Sequence, residues 1–296
     1  MLLNNEDNLK IISKLIINET YPNSNGYKGW FEEYPIKFGK EDEKNFNFDF
    51  SKEEDIIALI FLATAWNMPN YRWENAVGLV AVLYKKNLLE KIDNWSSQKE
   101  IESLDKNDLV REMNNFRSTF LGDRGNLYIK GGKDGVFERL RIVAKEYNFL
   151  KEILQIDNIL EGKIPPKLDH NIFPRFDNPR LMIEVKRKNN KIAKSPILRV
   201  KVPLILRELK CQNRIDISRE YCCVPDTKVK QMMKTIGYNP SLDYDYSSVI
   251  YNSKIIYKYF GLHYDLPLFD FFDECSKMKN KECNNKCVIF DYCAKL

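Results

Sequence analysis

Histidine is nearly absent from this chain: His170 and His263 are the only two in 296 residues. Far apart and unpaired, they are expected in core or surface positions, not as metal ligands. No long hydrophobic run exists either. The longest nearly uncharged apolar stretch, Ile56 to Trp66, falls well short of the ~20 residues a membrane-spanning helix needs. The opening residues, Met1-Leu2-Leu3-Asn4-Asn5-Glu6, are not a basic leader, so a cytoplasmic location without membrane association is expected. Strand-like alternation is scarce, and neither an internal repeat nor a low-complexity tract is present. Five glycines between Leu121 and Gly135 suggest a phosphate loop, but no Gly-x4-Gly-Lys-Ser/Thr exists, because Gly132-Lys133 is followed by Asp134. A surface loop is expected there.

What the chain does contain is enough apolar sequence, 44%, to bury a large core as one domain or two lobes, beside 30% charged residues typical of a soluble globular protein. The net charge of +5 is unevenly spread. Between Asn178 and Gly237 stand fifteen Lys/Arg against five Asp/Glu, a local excess of +10 that leaves −5 for the remainder. Such a block suits a polyanion-binding face, although a solvated helix surface would have the same composition.

Helical patterns run over Leu9–Ile17, from a Ser51-x-x-Glu54 capping box through Ala63, and over Trp73–Leu89 and Asp108–Phe116. A long amphipathic helix is expected from Gly135 to Ile156. A proline-rich connector, Ile164 to Pro179, is the candidate lobe boundary. Beyond it lie Pro203–Lys210, Thr227–Ile236, Ser247–Phe260 and Leu266–Lys277, with Gly237 and Gly261 placed as helix C-caps. The expected class is all-α.

Four of the seven cysteines crowd the final segment as Cys275-x7-Cys283-x3-Cys287-x5-Cys293. Thiolates this close can surround one metal centre. Disulfides are the alternative, disfavoured in a reducing cytosol. Structural zinc sites pair cysteines in short knuckles, and only Cys283-x3-Cys287 has that spacing. Upstream, Val224-Pro225-Asp226-Thr227-Lys228-Val229 begins a helix. On local grounds Asp226 is its N-cap, accepting orphan amide bonds and offsetting the dipole.

The cysteine pattern resembles the C-terminal iron–sulfur loop of helix-hairpin-helix, endonuclease III-like DNA glycosylases, with two gaps each one residue longer. Val-Pro-Asp-Thr-Lys-Val looks like that family's catalytic-aspartate element with a proline inserted. Asp226 lies 49 residues before Cys275, about the family's interval. The resemblance covers roughly residues 178–296. It implies a two-lobed helical glycosylase-like fold: residues 1–50 packing on the C-terminal lobe, a helical lobe over 51–163, a hairpin and catalytic-aspartate region over 164–265, and the cluster loop over 266–296. It also implies a [4Fe–4S] cluster on Cys275, Cys283, Cys287 and Cys293, structural in role, with zinc as the second candidate.

The family's hairpin is similar to Ser195-Pro196-Ile197-Leu198-Arg199-Val200-Lys201, which keeps the proline-to-lysine spacing but has Ile197 and Arg199 where the family has glycines. Those glycines allow close approach of backbone to phosphate, so the usual backbone contact is in doubt and Arg199 is a candidate substitute. The implied activity is base excision from double-stranded DNA by a nucleoid-associated monomer. Asp226 would stabilise positive charge on the sugar, and Lys201 would act as a Schiff-base amine if the enzyme is also a lyase. Arg199, Lys194, Lys228 and Lys279 are the implied DNA contacts, with Lys277 and Lys281 beside the cluster.

Two other classes compete. Leu181-Met182-Ile183-Glu184-Val185-Lys186 looks like the Glu-x-Lys strand of Mg²⁺-dependent restriction-type nucleases, with Asp169 or Asp177 as partner and Lys188–Lys191 able to close a hairpin; the plain alternative is a charged helix face. A non-catalytic nucleic-acid-binding protein with a metal clasp is the other. Cys211, Cys222 and Cys223 are expected as buried thiols. Trp66, Tyr71, Arg72 and Trp73 could line a base pocket or simply pack in the core.

Overall fold

Two compact units make up the chain: Gly29–Asp216, and Met1–Lys28 together with Ile217–Leu296. The computed structural model describes residues 6–29, 36–38, 44–46, 50–66, 73–90, 92–120, 133–162, 164–186, 192–279 and 287–292. Helix α1 (Glu6–Thr20) belongs to the discontinuous unit. It buries Ile12 and Ile16, one turn apart, and carries Glu6 and Asp7 at the positive end of its dipole.

The continuous unit begins with an antiparallel pair, β1 (Ile36–Phe38) and β2 (Lys44–Phe46). Its centre is α2 (Glu53–Trp66), buried at every position from Asp55 to Ala65. A helix apolar on all sides must be enclosed on all sides. The enclosing helices include α3 (Trp73–Lys85). Next come α4 (Trp95–Ser103), which the sequence patterns do not indicate, and α5 (Lys106–Phe120). Asn94 caps α4 by accepting the Ser96 amide at 2.9 Å. Then α6 (Lys133–Lys145) covers another side of α2.

The acidic start of α2 is bound by its neighbours. Glu53 accepts from the Tyr147 hydroxyl at 2.8 Å and pairs with Lys151 at 2.9 Å, while Glu54 accepts from the Tyr84 hydroxyl at 3.0 Å. Glu54 therefore ties two helices together through Tyr84.

The long helix expected over Gly135–Ile156 is three pieces: α6, α7 (Tyr147–Leu154) and α8 (Ile156–Leu160). Gln155 breaks it with φ of 54°. In one straight helix Ile156 would lie half a turn away from Tyr147. The break allows both to be buried, along with Ile159.

After α9 (Ile172–Arg175) comes an antiparallel hairpin of β3 (Met182–Lys186) and β4 (Ile192–Pro196), in which Glu184 faces Lys194. A 3-10 turn, Arg199–Lys201, leads into α10 (Val202–Cys211), which packs on α2. Pro203 sits in the first turn of α10, where its missing N–H costs nothing.

The discontinuous unit is completed by α11 (Thr227–Thr235), α12 (Tyr246–Phe260) and α13 (Leu266–Lys279). Helix α13 packs on α1 and α11, and α12 on α1. Gly237 and Gly261 follow α11 and α12 with φ of 93° and 53°. The class is mostly helical, as expected, with two short hairpins the exceptions among the described residues. No described helix is long and apolar enough to cross a membrane.

Candidate functional site

Asp226 is the N-cap of α11. Its backbone is extended, with φ −71° and ψ −179°, and its Oδ1 accepts the Val229 amide at 2.9 Å. The carboxylate is half-buried. The chain leading to it is held from two sides. The Cys223 amide donates to Ser253 Oγ on α12 at 2.9 Å, and the Val224 amide donates to the buried Asp265 carboxylate at 2.8 Å. Ser253 and Asp265 thereby fix where α11 begins and where its first carboxylate stands.

In the first turn of α11, Lys228 pairs with Asp273 of α13 at 2.9 Å, its ammonium 4.6 Å from the Phe269 ring centroid. The lysine expected to contact phosphate is thus already matched by a carboxylate within its own unit. This pair joins the helix of Asp226 to the helix that carries Cys275. Cys275 is buried and Cys287 half-buried. Both stand outside any disulfide. Cys283 and Cys293 lie outside the described residues, as do Lys281 and the side chains of Lys277 and Lys279. No metal-sized group of His, Cys, Asp or Glu occurs among the described residues.

One residue here carries no motif and is missing from the sequence reading. Lys230, one turn beyond Asp226, is 3% exposed. Its ammonium donates to the carbonyls of Leu242 at 3.1 Å and Asp243 at 3.0 Å, and lies 3.2 Å from the Tyr244 ring centroid. Burial pulls its pKa down to about 8, against the opposing charges of Asp243, Asp226 and Asp245. The available signal was its place between Val229 and Met232–Met233, on the buried stripe of α11.

In the continuous unit the hairpin reading of Ser195–Lys201 needs correction. Pro196 ends strand β4, so the element before the turn is a strand and not a helix. The segment Ile192–Pro196 pairs with Met182–Lys186, and backbone ladder bonds win over a helical turn. Lys201 is 5% exposed, with its ammonium 4.1 Å from the Trp66 ring centroid. Trp66 therefore packs as a platform for Lys201. Tyr71 and Arg72 lie outside the described residues, as does the side chain of Trp73. Arg199 is half-buried, and its buried Nε makes no hydrogen bond among the described residues. Lys194 is exposed on β4.

The strand over Met182–Lys186 exists, and Glu184 on it is exposed. A charged helix face is therefore the wrong reading of this segment. Asp169, however, is engaged in a turn, accepting from the Asn171 amide at 2.8 Å and from its side chain at 3.1 Å. Cys222 and Cys223 are buried thiols, but Cys211 is only half-buried. His170 is exposed, and His263 bonds the Ser24 carbonyl at 3.1 Å. The glycine-rich stretch 121–132 lies outside the described residues.

A pair adjacent in sequence was not foreseen either: Arg207 and Glu208 on α10, bonded at 3.2 Å and 3% and 1% exposed. No family model, no curated protein and no solved structure matches this chain.

Proposed function

We propose that this chain is a DNA base-excision enzyme of the helix-hairpin-helix glycosylase kind, acting on double-stranded DNA. The observation that carries the reading is the packing of α11 on α13. The two sequence signals that resemble the family, Asp226 and the first cysteine, stand on helices that touch, joined by Lys228 and Asp273. Two motifs that are weak when 49 residues apart in sequence gain weight as neighbours in one unit.

Cleavage of a glycosidic bond builds positive charge on the sugar, and the target base must first leave the stack. A carboxylate held at a fixed place lowers the energy of that charge. Asp226 is fixed by the Ser253 and Asp265 contacts and is half-exposed, so it can face a sugar without rearrangement of the chain. Cys275, Cys283, Cys287 and Cys293 would hold a [4Fe–4S] cluster, which would brace the basic segment around Lys277–Lys281 against phosphate. Lys201 is enclosed against Trp66, so the activity proposed is excision without strand cleavage.

The test is a panel of lesion-bearing duplexes incubated, once in EDTA and once in Mg²⁺, with the wild type and Asp226→Asn. Excision by the wild type and none by the variant is expected. Turnover retained in the variant removes Asp226 from the chemistry. Incision that depends on Mg²⁺ instead favours the nuclease reading, which the exposed Glu184 on β3 supports.

A further inference from the structure

Strands β3 and β4 form a two-stranded ribbon rooted at one end in the core of the continuous unit. The Ile197 amide donates to the Leu181 carbonyl at 2.9 Å, one step inside the ladder, and both residues are fully buried. From that root the register sets Met182 against Pro196, Glu184 against Lys194 and Lys186 against Ile192. Directly opposed residues share a face. These three pairs therefore line one side of the ribbon, and Ile183, Ala193 and Ser195 the other.

The two sides differ in exposure. Ile183 is buried and Ala193 and Ser195 are half-buried, so their side lies on the protein body. On the first side exposure grows away from the root. Pro196 is buried, Glu184 and Lys194 are exposed, and Ile192 is 67% exposed. Core packing therefore does not account for an isoleucine at this position.

Positive charge gathers on the same element. From Glu184 to Lys194 the sequence holds five cations, Lys186, Arg187, Lys188, Lys191 and Lys194, and one carboxylate, a net +4 in a chain whose total is +5. Arg187, Lys188 and Lys191 lie outside the described residues, as does the side chain of Lys186. The outward face that the structure defines is thus Glu184, Ile192 and Lys194.

We infer that the β3–β4 ribbon is a nucleic-acid-binding arm that enters the major groove of double-stranded DNA, with the side carrying Glu184, Ile192 and Lys194 toward the duplex. Its dimensions suit that groove. Two strands ~4.8 Å apart fit a slot ~12 Å wide, whereas the minor groove is only ~6 Å wide. Four strand steps from Pro196 to Ile192, at ~3.3 Å each, give a reach of ~13 Å, more than the groove's ~8.5 Å depth. The chemistry matches as well. Cations on the ribbon meet phosphates at the rims of the groove, and an exposed aliphatic side chain meets thymine methyl groups, which only the major groove displays.

This inference rests on the duplex partner of the proposed function but not on excision, and binding read without turnover keeps the two apart. Fluorescence anisotropy of the full chain in EDTA, on an undamaged duplex at several salt concentrations, tests it. Glu184→Lys should tighten binding and steepen the slope of log affinity against log salt by about one, and Lys194→Ala should flatten it by about one. A gain of affinity does not arise from misfolding, so Glu184→Lys decides the matter even if the alanine variant is unstable. Lys145→Glu, at the exposed end of α6, should leave the slope nearly unchanged; a change as large as that of Lys194→Ala makes the effect one of net charge and overturns the arm. On an RNA duplex of the same sequence, whose major groove is too narrow for side chains to enter, both ribbon variants should bind as the wild type does. Equal effects on RNA and DNA overturn entry into the groove, as does displacement by the minor-groove ligand netropsin but not by the major-groove ligand methyl green. Loss of the arm's effects while Asp226-dependent excision persists overturns the arm alone.

Discussion

Asp226 and Val229 are joined by a 2.9 Å hydrogen bond in which the carboxylate accepts the backbone amide three residues on. The same group that would face a sugar is also a helix cap, and substitution can separate the two roles. Asparagine caps nearly as well as aspartate, whereas alanine does not. Asp226→Ala should lose about 1 kcal/mol of stability in denaturant unfolding. Asp226→Asn should unfold close to the wild type and yet lose excision, which thermal melts run beside the lesion panel would establish.

The Lys228–Asp273 pair bears on DNA affinity. A lysine already matched to a carboxylate and lying over a ring releases few counterions when DNA binds. Lys228→Ala should therefore leave the slope of log affinity against log salt nearly unchanged. Lys194→Ala, removing an exposed cation from β4, should reduce that slope by about one. Fluorescence anisotropy on a duplex at several salt concentrations reads both.

Cysteine substitutions should fall into two classes. Cys275→Ser and Cys287→Ser should lose bound iron and acid-labile sulfide, and with them the brown colour of anaerobically purified protein. Cys222→Ser and Cys223→Ser should retain all three, since these thiols are enclosed near the start of α11. Zinc found in place of iron in the wild type would move the centre to its second candidate.

Lys201 should not form a covalent adduct. Its side chain is enclosed and its ammonium rests on Trp66, so the amine is not presented on the surface for attack on an abasic sugar. Borohydride treatment with abasic-site duplex should trap nothing in the wild type. An adduct that disappears in Lys201→Ala would restore the lyase step.

The amino-acid order alone determined most of the helices of the discontinuous unit. Asp226, Gly237 and Gly261 are local signals, acting within four residues of the helix ends they set, so no distant partner is needed to read them. The enclosed α2 was equally plain, because an unbroken apolar run has only one stable environment. Only tertiary packing decided that Gly135–Ile156 breaks at Gln155, since that depends on which cavities Tyr147 and Ile156 must fill. It also decided that Ile192–Pro196 pairs as a strand, because a ladder's register is set by its partner. Whether a lysine binds phosphate, a carboxylate or a carbonyl was likewise undecided in sequence: Lys194, Lys228 and Lys230 are chemically identical, and burial and charge around each were created only when the helices and loops came together.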